Sequence, residues 1–421
     1  MEEIISSIII NPGSFKCETK APSSKSMSIR AIAAACLSRL GLLIYDYSDC
    51  LDGRAALNCA KTLGLNFTIS GRELRVKGGI KRKKRPVVLD CGESALTVNL
   101  FSFISALHNE KTIVTGNSTL NKRNFSELES ALTQLGYTCK SNNGYLPFEI
   151  SGKICNHQIT IDGSTGSQVL SGLLMSMPLY DEDTRINVNN LKSKPYITMT
   201  LHVLSKLGIA VENNNFEVFN IKKKQQFRRS IIRIDGDWSG ASFLMVAAAI
   251  AGKLEIKGLD IDSELADWDI INNLANTKAL VIIQGPYIFV EKMSLNPIFC
   301  NLSDNPDLFP PLAVLACYCE RTSVLIGVSR LVNKESNRAQ ALSTELTKLG
   351  ANIKIDTEND CMIITGGKLH GGTVNSWNDH RIAMALGIAA LGCDSPVKII
   401  NSECVSKSYP GFWKVLKKSI C

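Results

Sequence analysis

The chain has 421 residues, of which 45% are hydrophobic and 20% are charged, and its formal net charge is +8. This length exceeds what one hydrophobic core usually supports, so it predicts two or three domains of an ordinary globular protein. The longest apolar stretch, FLMVAAAIAG at 243–252, is shorter than the roughly 20 residues that span a bilayer. We therefore expect no contact with a membrane.

Helix and strand patterns alternate along the chain in a repeated order. Near the start they are the helix SIRAIAAACLS, the strand GLLIYDY, the helix DGRAALNCAKTLG, and the strands LNFTIS and ELRVKG. Several later helices also end in Leu-Gly, as glycine favours the end of a helix. Gly64, Gly136 and Gly208 are evenly spaced, and Gly350 lies beyond Gly208 by close to twice the same interval. This regular period, repeated over the whole length of the chain, predicts six α/β units.

The two ends of the chain are predicted to belong to one domain. The sixth unit has the segments NDHRIAMALGIAALG, SPVKII and YPGFWKVLKKSI but no following strands, whereas EIISSIII and SFKCETK near the start are strands without a preceding helix. We expect these N-terminal strands to complete the sixth unit. Residues 1–19 and 238–421 would then form one discontinuous domain, and residues 20–237 would form an inserted middle domain.

The fourteen cysteines are scattered, mostly in apolar segments, and form no Cys-x-x-Cys pattern. No His-Glu-x-x-His sequence occurs either. Such thiols are typical of reduced cytoplasmic proteins, so we expect a cytoplasmic location and no metal site. The acidic start MEEIISSIII favours neither a secretory nor a transit peptide.

The segment APSSKSMSIR, residues 21–30, places two cations at the start of an apolar helix. A helix N-terminus favours anions because its N–H groups are unpaired and its dipole is positive there. Lys25 and Arg30 at this end therefore predict a bound phosphate or carboxylate. A capped surface helix with two solvated cations is the alternative that this segment alone leaves open.

Similar polar segments recur at the starts of other predicted helices. They are GSTGSQ (163–168), SKPY (193–196), NPDLFPP (305–311), NKESNR (333–338), NDHR (378–381) and CVSKSYP (404–410). Each has an ordinary structural explanation, such as a capped helix entry or a charged turn. Their recurrence in one repeat protein indicates a shared polar site.

Over essentially its whole length the sequence resembles the EPSP synthase (3-phosphoshikimate 1-carboxyvinyltransferase) family. The matching motifs are, in order, Lys25-Ser26 with Arg30, Arg123, Ser167-Gln168, Ser193 to Tyr196, Asp307, Lys334-Glu335 with Arg338, Arg381, and Lys407. The resemblance implies an α/β protein with the enolpyruvyl transferase fold, in which two domains each hold three βαβαββ units around a pseudo-threefold axis. It also implies an active site in the cleft between the domains.

The resemblance implies a step of the shikimate pathway, which leads to chorismate and the aromatic amino acids. The enolpyruvyl group of phosphoenolpyruvate would pass to the 5-hydroxyl of shikimate 3-phosphate by addition–elimination, with release of phosphate. No metal or organic cofactor is implied. The expected partners are these two small molecules, without nucleic acid, and we expect a monomer.

The family motifs also imply roles for individual residues. Phosphoenolpyruvate would contact Lys25, Ala95, Arg123, Gln168, Arg338, Arg381 and Lys407. Shikimate 3-phosphate would contact Lys25, Ser26, Arg30, Ser167, Gln168, Ser193, Tyr196, Asp307 and Lys334. Asp307 is the candidate base for the hydroxyl, and Glu335 and Lys25 are the candidates for proton transfer at the methylene carbon. We expect Lys25 to lie among other cations.

The sequence departs from the family pattern at several positions. Ala95 replaces a glycine that lines the phosphoenolpyruvate pocket, which the herbicide glyphosate also occupies, and Asn99 replaces a common arginine. The Ser-Ser-Gln version of the substrate loop starts here with Gly166, and Arg330 stands where asparagine is frequent. Asn99 removes a cation from the pocket that the resemblance implies.

Two alternative functions are weighed against this interpretation. The sister enolpyruvyl transferases that act on UDP-N-acetylglucosamine carry Lys-Asn at the first motif and a reactive cysteine in the loop that here is GNSTLNKRN. This chain has no cysteine between Cys91 and Cys139. An RNA-binding or RNA-end-processing protein of related fold would use the basic run KRKKRP at 81–86, which we interpret as a solvated turn.

Overall fold

The computed structural model describes residues 6–80, 86–108, 110–263 and 265–421. Contacts within the chain divide it into two compact units, which we call the terminal domain (Met1–Pro22 and Gly236–Cys421) and the middle domain (Ser23–Asp235). The basic run at 81–85, interpreted above as a solvated turn, lies outside the described residues.

The elements follow in chain order. The first two strands are β1 (Ser7–Ile10) and β2 (Phe15–Lys20). The middle domain contains α1 (Lys25–Leu37), β3 (Leu42–Tyr45), α2 (Leu51–Thr62), β4 (Phe67–Ser70), β5 (Glu73–Val76), β6 (Val87–Asp90), α3 (Ala95–His108), β7 (Lys111–Thr115), α4 (Ser126–Gln134), β8 (Tyr137–Asn142), β9 (Tyr145–Gly152), β10 (Gln158–Asp162), α5 (Gln168–Ser176), β11 (Thr184–Asn189), α6 (Lys194–Lys206), β12 (Glu212–Asn214), β13 (Val218–Ile221) and β14 (Ile231–Arg233).

The remaining elements belong to the terminal domain. They are α7 (Trp238–Ala251), β15 (Gly252–Lys257), α8 (Ile270–Asn276), β16 (Leu280–Gln284), β17 (Tyr287–Glu291), β18 (Phe299–Asn301), α9 (Phe309–Cys317), β19 (Thr322–Ile326), α10 (Arg338–Lys348), β20 (Asn352–Asp356), β21 (Cys361–Thr365), β22 (Gly372–Asn375), α11 (His380–Ala389), β23 (Val397–Ile400) and α12 (Phe412–Lys418). Short 3-10 helices cover Ser118–Lys122, Met177–Leu179, Ala266–Asp269, Val328–Leu331, Ala390–Gly392 and Ser402–Lys407.

The middle domain repeats one sheet pattern three times. Its four-stranded sheets have the orders β14-β3-β5-β4, β6-β7-β9-β8 and β10-β11-β13-β12. In each sheet the first pair is parallel and the other pairs are antiparallel. A parallel pair needs a crossover connection, whereas antiparallel neighbours need only a hairpin. The repeated helices and strands therefore form βαβαββ units, as the family resemblance implies.

The terminal domain contains sheets of the orders β16-β17-β15-β2, β18-β19-β21-β20 and β1-β23-β22. The expectation that both N-terminal strands complete the sixth unit was wrong for one of them. Strand β1 does pair antiparallel with β23, but β2 runs parallel to β15 in the fourth unit's sheet, with Phe15 opposite Gly252. Phe15 and Cys17 on β2 are buried, and helix α7 packs on that strand. An alternating strand pattern predicts a buried face but not which sheet the strand joins.

Each domain has three mutually packed helices at its centre. These are α1, α3 and α5 in the middle domain, and α7, α9 and α11 in the terminal domain. In α7 every residue from Trp238 to Ile250 is buried, as expected for a helix that is apolar on all sides. The apolar stretch that begins at Phe243 is thus core as far as Ile250. Within the described residues, no helix is long and apolar enough to cross a membrane.

The predicted site segments lie at helix N-termini in this architecture. Lys25, Ala95 and Gln168 are the first residues of the three central helices of the middle domain. In the terminal domain, Asp307 lies two residues before α9, and Arg381 lies in the first turn of α11.

Candidate active site

The first candidate group in the middle domain is Lys25 at the start of α1. Ser24 caps this helix, since its hydroxyl oxygen accepts a hydrogen bond from the Met27 N–H at 3.3 Å. The Lys25 Nζ lies 3.0 Å from Asp52 Oδ2. Cations were the expected neighbours of Lys25, but this partner is a carboxylate. Asp52 lies in the first turn of the adjacent helix α2, where the helix dipole favours a negative charge.

Arg30 is almost completely buried, with 1% of its surface exposed. Its Nε donates to Thr200 Oγ1 at 2.8 Å, and one terminal nitrogen donates to Ser171 Oγ at 3.1 Å. The guanidinium also donates to the backbone carbonyls of Ser26 (3.0 Å) and Tyr196 (3.3 Å). Arg30 therefore ties the starts of α1 and α6 to α5.

Among the described residues, the Arg30 guanidinium donates to hydroxyl and backbone carbonyl oxygens, all of which are neutral. Burial lowers the pKa of its guanidinium to about 10, so the group remains a cation at neutral pH. In the part of the chain that the structure describes, no carboxylate forms an ion pair with it. A buried charge without a counter-charge is costly, so this environment favours an anion nearby.

Asn99 connects the start of α3 to the start of α5. Its Nδ2 donates to the Ala95 carbonyl at 2.9 Å and to Gln168 Oε1 at 3.1 Å. Asn99 Oδ1 is buried and has no hydrogen-bond partner among the described residues. Where the family commonly has an arginine, this chain therefore uses a neutral amide that orients Gln168.

Three further predicted residues lie in loops of the middle domain. Ser167 directly precedes α5 and is buried, and its carbonyl accepts from the Ser171 N–H at 2.9 Å. Ser193 precedes α6 with a φ of 58°, an uncommon conformation for a non-glycine residue. Arg123 follows the short helix Ser118–Lys122 and is half-buried.

The predicted residues of the terminal domain form one ionic cluster. Asp307 Oδ1 lies 2.9 Å from an Arg338 nitrogen, and Asp307 Oδ2 lies 2.7 Å from an Arg381 nitrogen. Burial alone would raise the pKa of Asp307, but Arg381 and Arg338 bring it well below its usual range. Asp307 is therefore a carboxylate shared between two arginines.

Arg338 also contacts two other carboxylates. Its second terminal nitrogen lies 2.6 Å from Glu335 Oε2, and its Nε lies 2.9 Å from Asp379 Oδ2. Burial would lower the pKa of Arg338, but Asp379, Glu335 and Asp307 hold it above its ordinary value. The guanidinium fork thus fixes the positions of both predicted acid–base residues of this domain, Asp307 and Glu335.

Asp379 is a site residue that the sequence reasoning missed. It is fully buried, caps α11 by accepting from the Arg381 N–H at 2.9 Å, and accepts from Ser336 Oγ at 3.1 Å. The available signal was its place directly before a helix, since aspartate is a favoured N-cap residue. Asp379 therefore links the Lys-Glu-x-x-Arg segment to the Asp-His-Arg segment.

Lys407 supports the same segment from another element. It ends the short helix Ser402–Lys407, is buried, and donates from Nζ to the Asn378 carbonyl at 2.6 Å. Lys334 is half-buried, and its charge contributes to the low pKa of Asp307. The terminal domain thus concentrates cations around a few ionised carboxylates.

A second missed carboxyl group, Asp267, lies within the electrostatic range of this cluster. It is buried and accepts a hydrogen bond from Ser239 Oγ. Burial and the charge of Asp307 raise the pKa of Asp267 to about 7, while Arg381 opposes the shift. No motif in the sequence distinguishes this aspartate from its neighbours Asp260, Asp262 and Asp269.

The arrangement supplies the groups needed to bind anions and to move protons. Each domain holds buried arginine, and the terminal domain adds carboxylates that pair with arginines. Among the described residues, no group of three or more His, Cys, Asp or Glu side chains is placed to hold a metal ion.

Comparisons with known proteins agree with these features. The family model of EPSP synthase (3-phosphoshikimate 1-carboxyvinyltransferase) matches residues 10–416. A protein named 3-phosphoshikimate 1-carboxyvinyltransferase from Clostridium novyi (strain NT) is 35% identical over 421 residues, which cover 98% of this chain and 97% of the relative. A protein of the same name from Clostridium acetobutylicum is 36% identical over 414 residues, which cover 97% of this chain and 96% of the relative.

A solved structure shows the same fold. The EPSP synthase from Acinetobacter baumannii superposes with a TM-score of 0.82 at 24% identity and covers 98% of both chains. The α/β fold predicted from the repeats and motifs is confirmed by this likeness and by the six small sheets. Because the family model spans nearly the whole sequence and the two relatives exceed a third identity, this chain belongs to the EPSP synthase family.

Proposed function

We propose that this protein transfers the enolpyruvyl group of phosphoenolpyruvate to the 5-hydroxyl of shikimate 3-phosphate. The hydroxyl oxygen bonds to the enol carbon while the methylene carbon gains a proton, which gives a tetrahedral intermediate. The bond from that carbon to the phosphate oxygen then breaks, and a methyl proton leaves. The products are the enol ether and inorganic phosphate. The activity named for the relatives supports this reaction.

The observation that carries the proposal is Asp307, a carboxylate shared between Arg338 and Arg381. A phosphate carries a charge of about −1.5 to −2 at neutral pH. Phosphoenolpyruvate adds a carboxylate, so it competes with Asp307 for the two guanidinium groups. As these arginines turn to the substrate, the pKa of Asp307 rises because its stabilising partners are lost. Substrate binding therefore makes Asp307 a stronger base for the hydroxyl proton.

The middle domain supplies most of the groups proposed to bind shikimate 3-phosphate, and Asp307 and Lys334 of the terminal domain supply the rest. Arg30 is a buried cation that has no carboxylate partner among the described residues, and it holds the backbone of Ser26 and Tyr196. The other proposed contacts are Lys25, Ser167, Gln168, Ser193, Asp307 and Lys334. Buried donors of this kind recognise phosphate and carboxylate oxygens strongly.

The groups proposed for phosphoenolpyruvate come from both domains. They are Lys25, Ala95, Arg123 and Gln168 from the middle domain, and Arg338, Arg381 and Lys407 from the terminal domain. Proton transfer at the methylene carbon is assigned to Glu335 and Lys25, each of which pairs with an opposite charge. We propose that both sets act on one pair of substrates, because the reaction needs anion binding and acid–base groups together.

We propose that the protein acts as a monomer in the cytoplasm. The fourteen cysteines are all free thiols, and most of them are buried. Free thiols are usual in a reducing compartment. Sedimentation velocity at micromolar concentration tests the monomer, and a dimer mass would contradict it.

Phosphate release measured with each substrate alone and with both together tests the reaction. We expect phosphate and the enol ether in equal amounts only when both substrates are present. UDP-N-acetylglucosamine in place of shikimate 3-phosphate should give no product, and a turnover with that acceptor would contradict the proposal. A matched control is Asp356→Asn, since Asp356 forms its hydrogen bonds within its own turn and its loss should leave turnover unchanged.

A further inference from the structure

The loop between β10 and α5, residues 163–167, is held by two carboxylates from different elements. We call it the substrate loop, since Ser167 is proposed to bind shikimate 3-phosphate. Asp162, the last residue of β10, accepts from the Ser164 N–H at 3.1 Å and from Ser164 Oγ at 2.8 Å. The next residue, Thr165, donates from Oγ1 to Glu127 Oε2. Glu127 lies in the first turn of α4.

The two carboxyl oxygens of Glu127 have different surroundings. One accepts the hydrogen bond from the exposed Thr165, and the other is enclosed by the protein. Glu127 Oε1 is buried and has no hydrogen-bond partner among the described residues. Burial raises the pKa of Glu127 to about 7, the hydrogen bond from Thr165 opposes the shift, and the charge of Asp162 adds to it. An ionised carboxylate in this place would have one oxygen without a donor, which is costly.

The charged surroundings of Glu127 are defined by the elements that pack against α4, namely β8, β10 and α5. Helix α5 has no ionisable side chain, and β10 contributes Asp162. The ionisable residues of β8 are Tyr137, Cys139 and Lys140, and the segment before α4 contributes Lys122 and Arg123. Those of β8 have other neighbours: Tyr137 bonds Tyr180, Cys139 lies near Glu129, and Lys140 lies near Glu149. Asp162 is thus the carboxylate whose repulsion Glu127 experiences.

We propose that Glu127 is a positioning residue for the substrate loop, and that its neutral form holds Thr165 in the arrangement that binds shikimate 3-phosphate. When the proton leaves, the carboxylate has a buried oxygen without a donor and a like charge nearby. It gains solvation by turning toward water, which releases Thr165 and loosens the loop before Ser167. The assignment rests on the proposed function, because the ligand of Ser167 is taken from it.

Binding of shikimate 3-phosphate between pH 6 and pH 8 tests the proposal. If only the neutral form binds and its midpoint is about 7, the competent fraction falls from roughly nine-tenths to one-tenth, and the apparent Kd rises by up to about tenfold. The variant Glu127→Gln accepts from Thr165 but does not titrate, so it should lack this rise. Titration of the ligand's own phosphate is common to both proteins. We expect the effect in Kd and KM rather than in kcat.

Glu129→Gln is the matched control. Glu129 lies on the same helix, is half-buried, and accepts from the Ser141 hydroxyl at 2.6 Å, but it does not contact the substrate loop. This variant should retain the pH dependence of the unmodified protein. The proposal is overturned if Glu127→Gln retains the same dependence, or if Glu129→Gln loses it to the same extent.

An NMR titration without ligand separates this proposal from the proposed function. In protein with ¹³C-labelled glutamate, the Glu127 carboxyl should titrate near pH 7. A midpoint in the ordinary glutamate range would overturn the positioning role. Absence of shikimate 3-phosphate binding by the unmodified protein, with the midpoint near 7, would instead contradict the proposed function.

Discussion

Asp379 provides the counter-charge that is most deeply buried in the terminal-domain cluster, so its replacement should have a large effect on stability. Asp379→Asn preserves the shape of the side chain and leaves one oxygen to cap α11 at the Arg381 N–H. It removes the negative charge that lies 2.9 Å from Arg338 Nε. Loss of one partner from a buried ion pair typically costs about 3–5 kcal/mol. Since Arg338 retains Asp307 and Glu335, we expect about 3 kcal/mol.

This loss is large enough to measure by thermal unfolding. Each kcal/mol lowers the Tm of a domain of about 200 residues by roughly 2–4 °C, which predicts a decrease of about 6–12 °C for the terminal domain. The same variant should lower kcat/KM for phosphoenolpyruvate by at least about tenfold, because Arg338 is no longer fixed on its Nε side.

The control for this prediction is Asp356→Asn in the same domain. Its hydrogen bonds stay within the turn that joins β20 to β21, so we expect a change of about 0.5 kcal/mol. Equal effects of the two variants on Tm would show that Asp379 does not balance the charge of Arg338, and the reasoning would fail.

Three other perturbations follow from the same structure. Lys25→Met should lower kcat and raise the Kd for phosphoenolpyruvate, because Lys25 is assigned to both binding and proton transfer. Calorimetry gives the Kd and steady-state kinetics give kcat. A change in the Kd alone would contradict the role in proton transfer. Asp267 has a pKa raised from 3.8 to about 7, so its ionisation between these pH values lowers the free energy of unfolding as pH rises. Asp267→Asn should therefore raise the free energy of unfolding at pH 8 by roughly 2–4 kcal/mol and leave it nearly unchanged at pH 4. Denaturant unfolding at both pH values measures this, and equal effects at the two would contradict the raised pKa of Asp267. Ala95→Gly should strengthen glyphosate inhibition by about 5- to 150-fold, since the extra methyl group crowds the longer ligand by about 1–3 kcal/mol. The measurement is the inhibition constant against phosphoenolpyruvate, and tight inhibition of the unmodified protein would refute this.

Sequence periodicity predicted most of the fold because each unit repeats the same local patterns. The helices that follow APSSK and NPDLF, and the Leu-Gly ends at Gly64 and Gly350, all lie where the patterns place them. The pairing of β2 with β15 in the fourth unit's sheet was not predictable in the same way. Which strand pairs with which depends on how the crossover helix packs. The alternating pattern of a short strand does not show which strand will lie beside it.

The candidate site was predictable as a list of residues but not as a set of contacts. Lys25 was expected among cations, yet its neighbour is Asp52 from the next helix. Arg30 was expected to face a ligand, whereas four of its hydrogen bonds are to the protein. Apart from the bond between Arg30 and Ser26, these pairings join residues that are distant in sequence, so no local motif contains them.

A reaction run in D₂O with both substrates, followed by mass spectrometry of the product, tests the central claim most directly. If the methylene carbon of phosphoenolpyruvate is protonated and then loses a proton, solvent deuterium must enter that carbon. We predict an enol ether that carries deuterium at its methylene group, formed with an equal amount of phosphate, and a strongly reduced yield with Asp307→Ala. Failure to form the enol ether, or an enol ether without deuterium, would contradict enolpyruvyl transfer by addition and elimination.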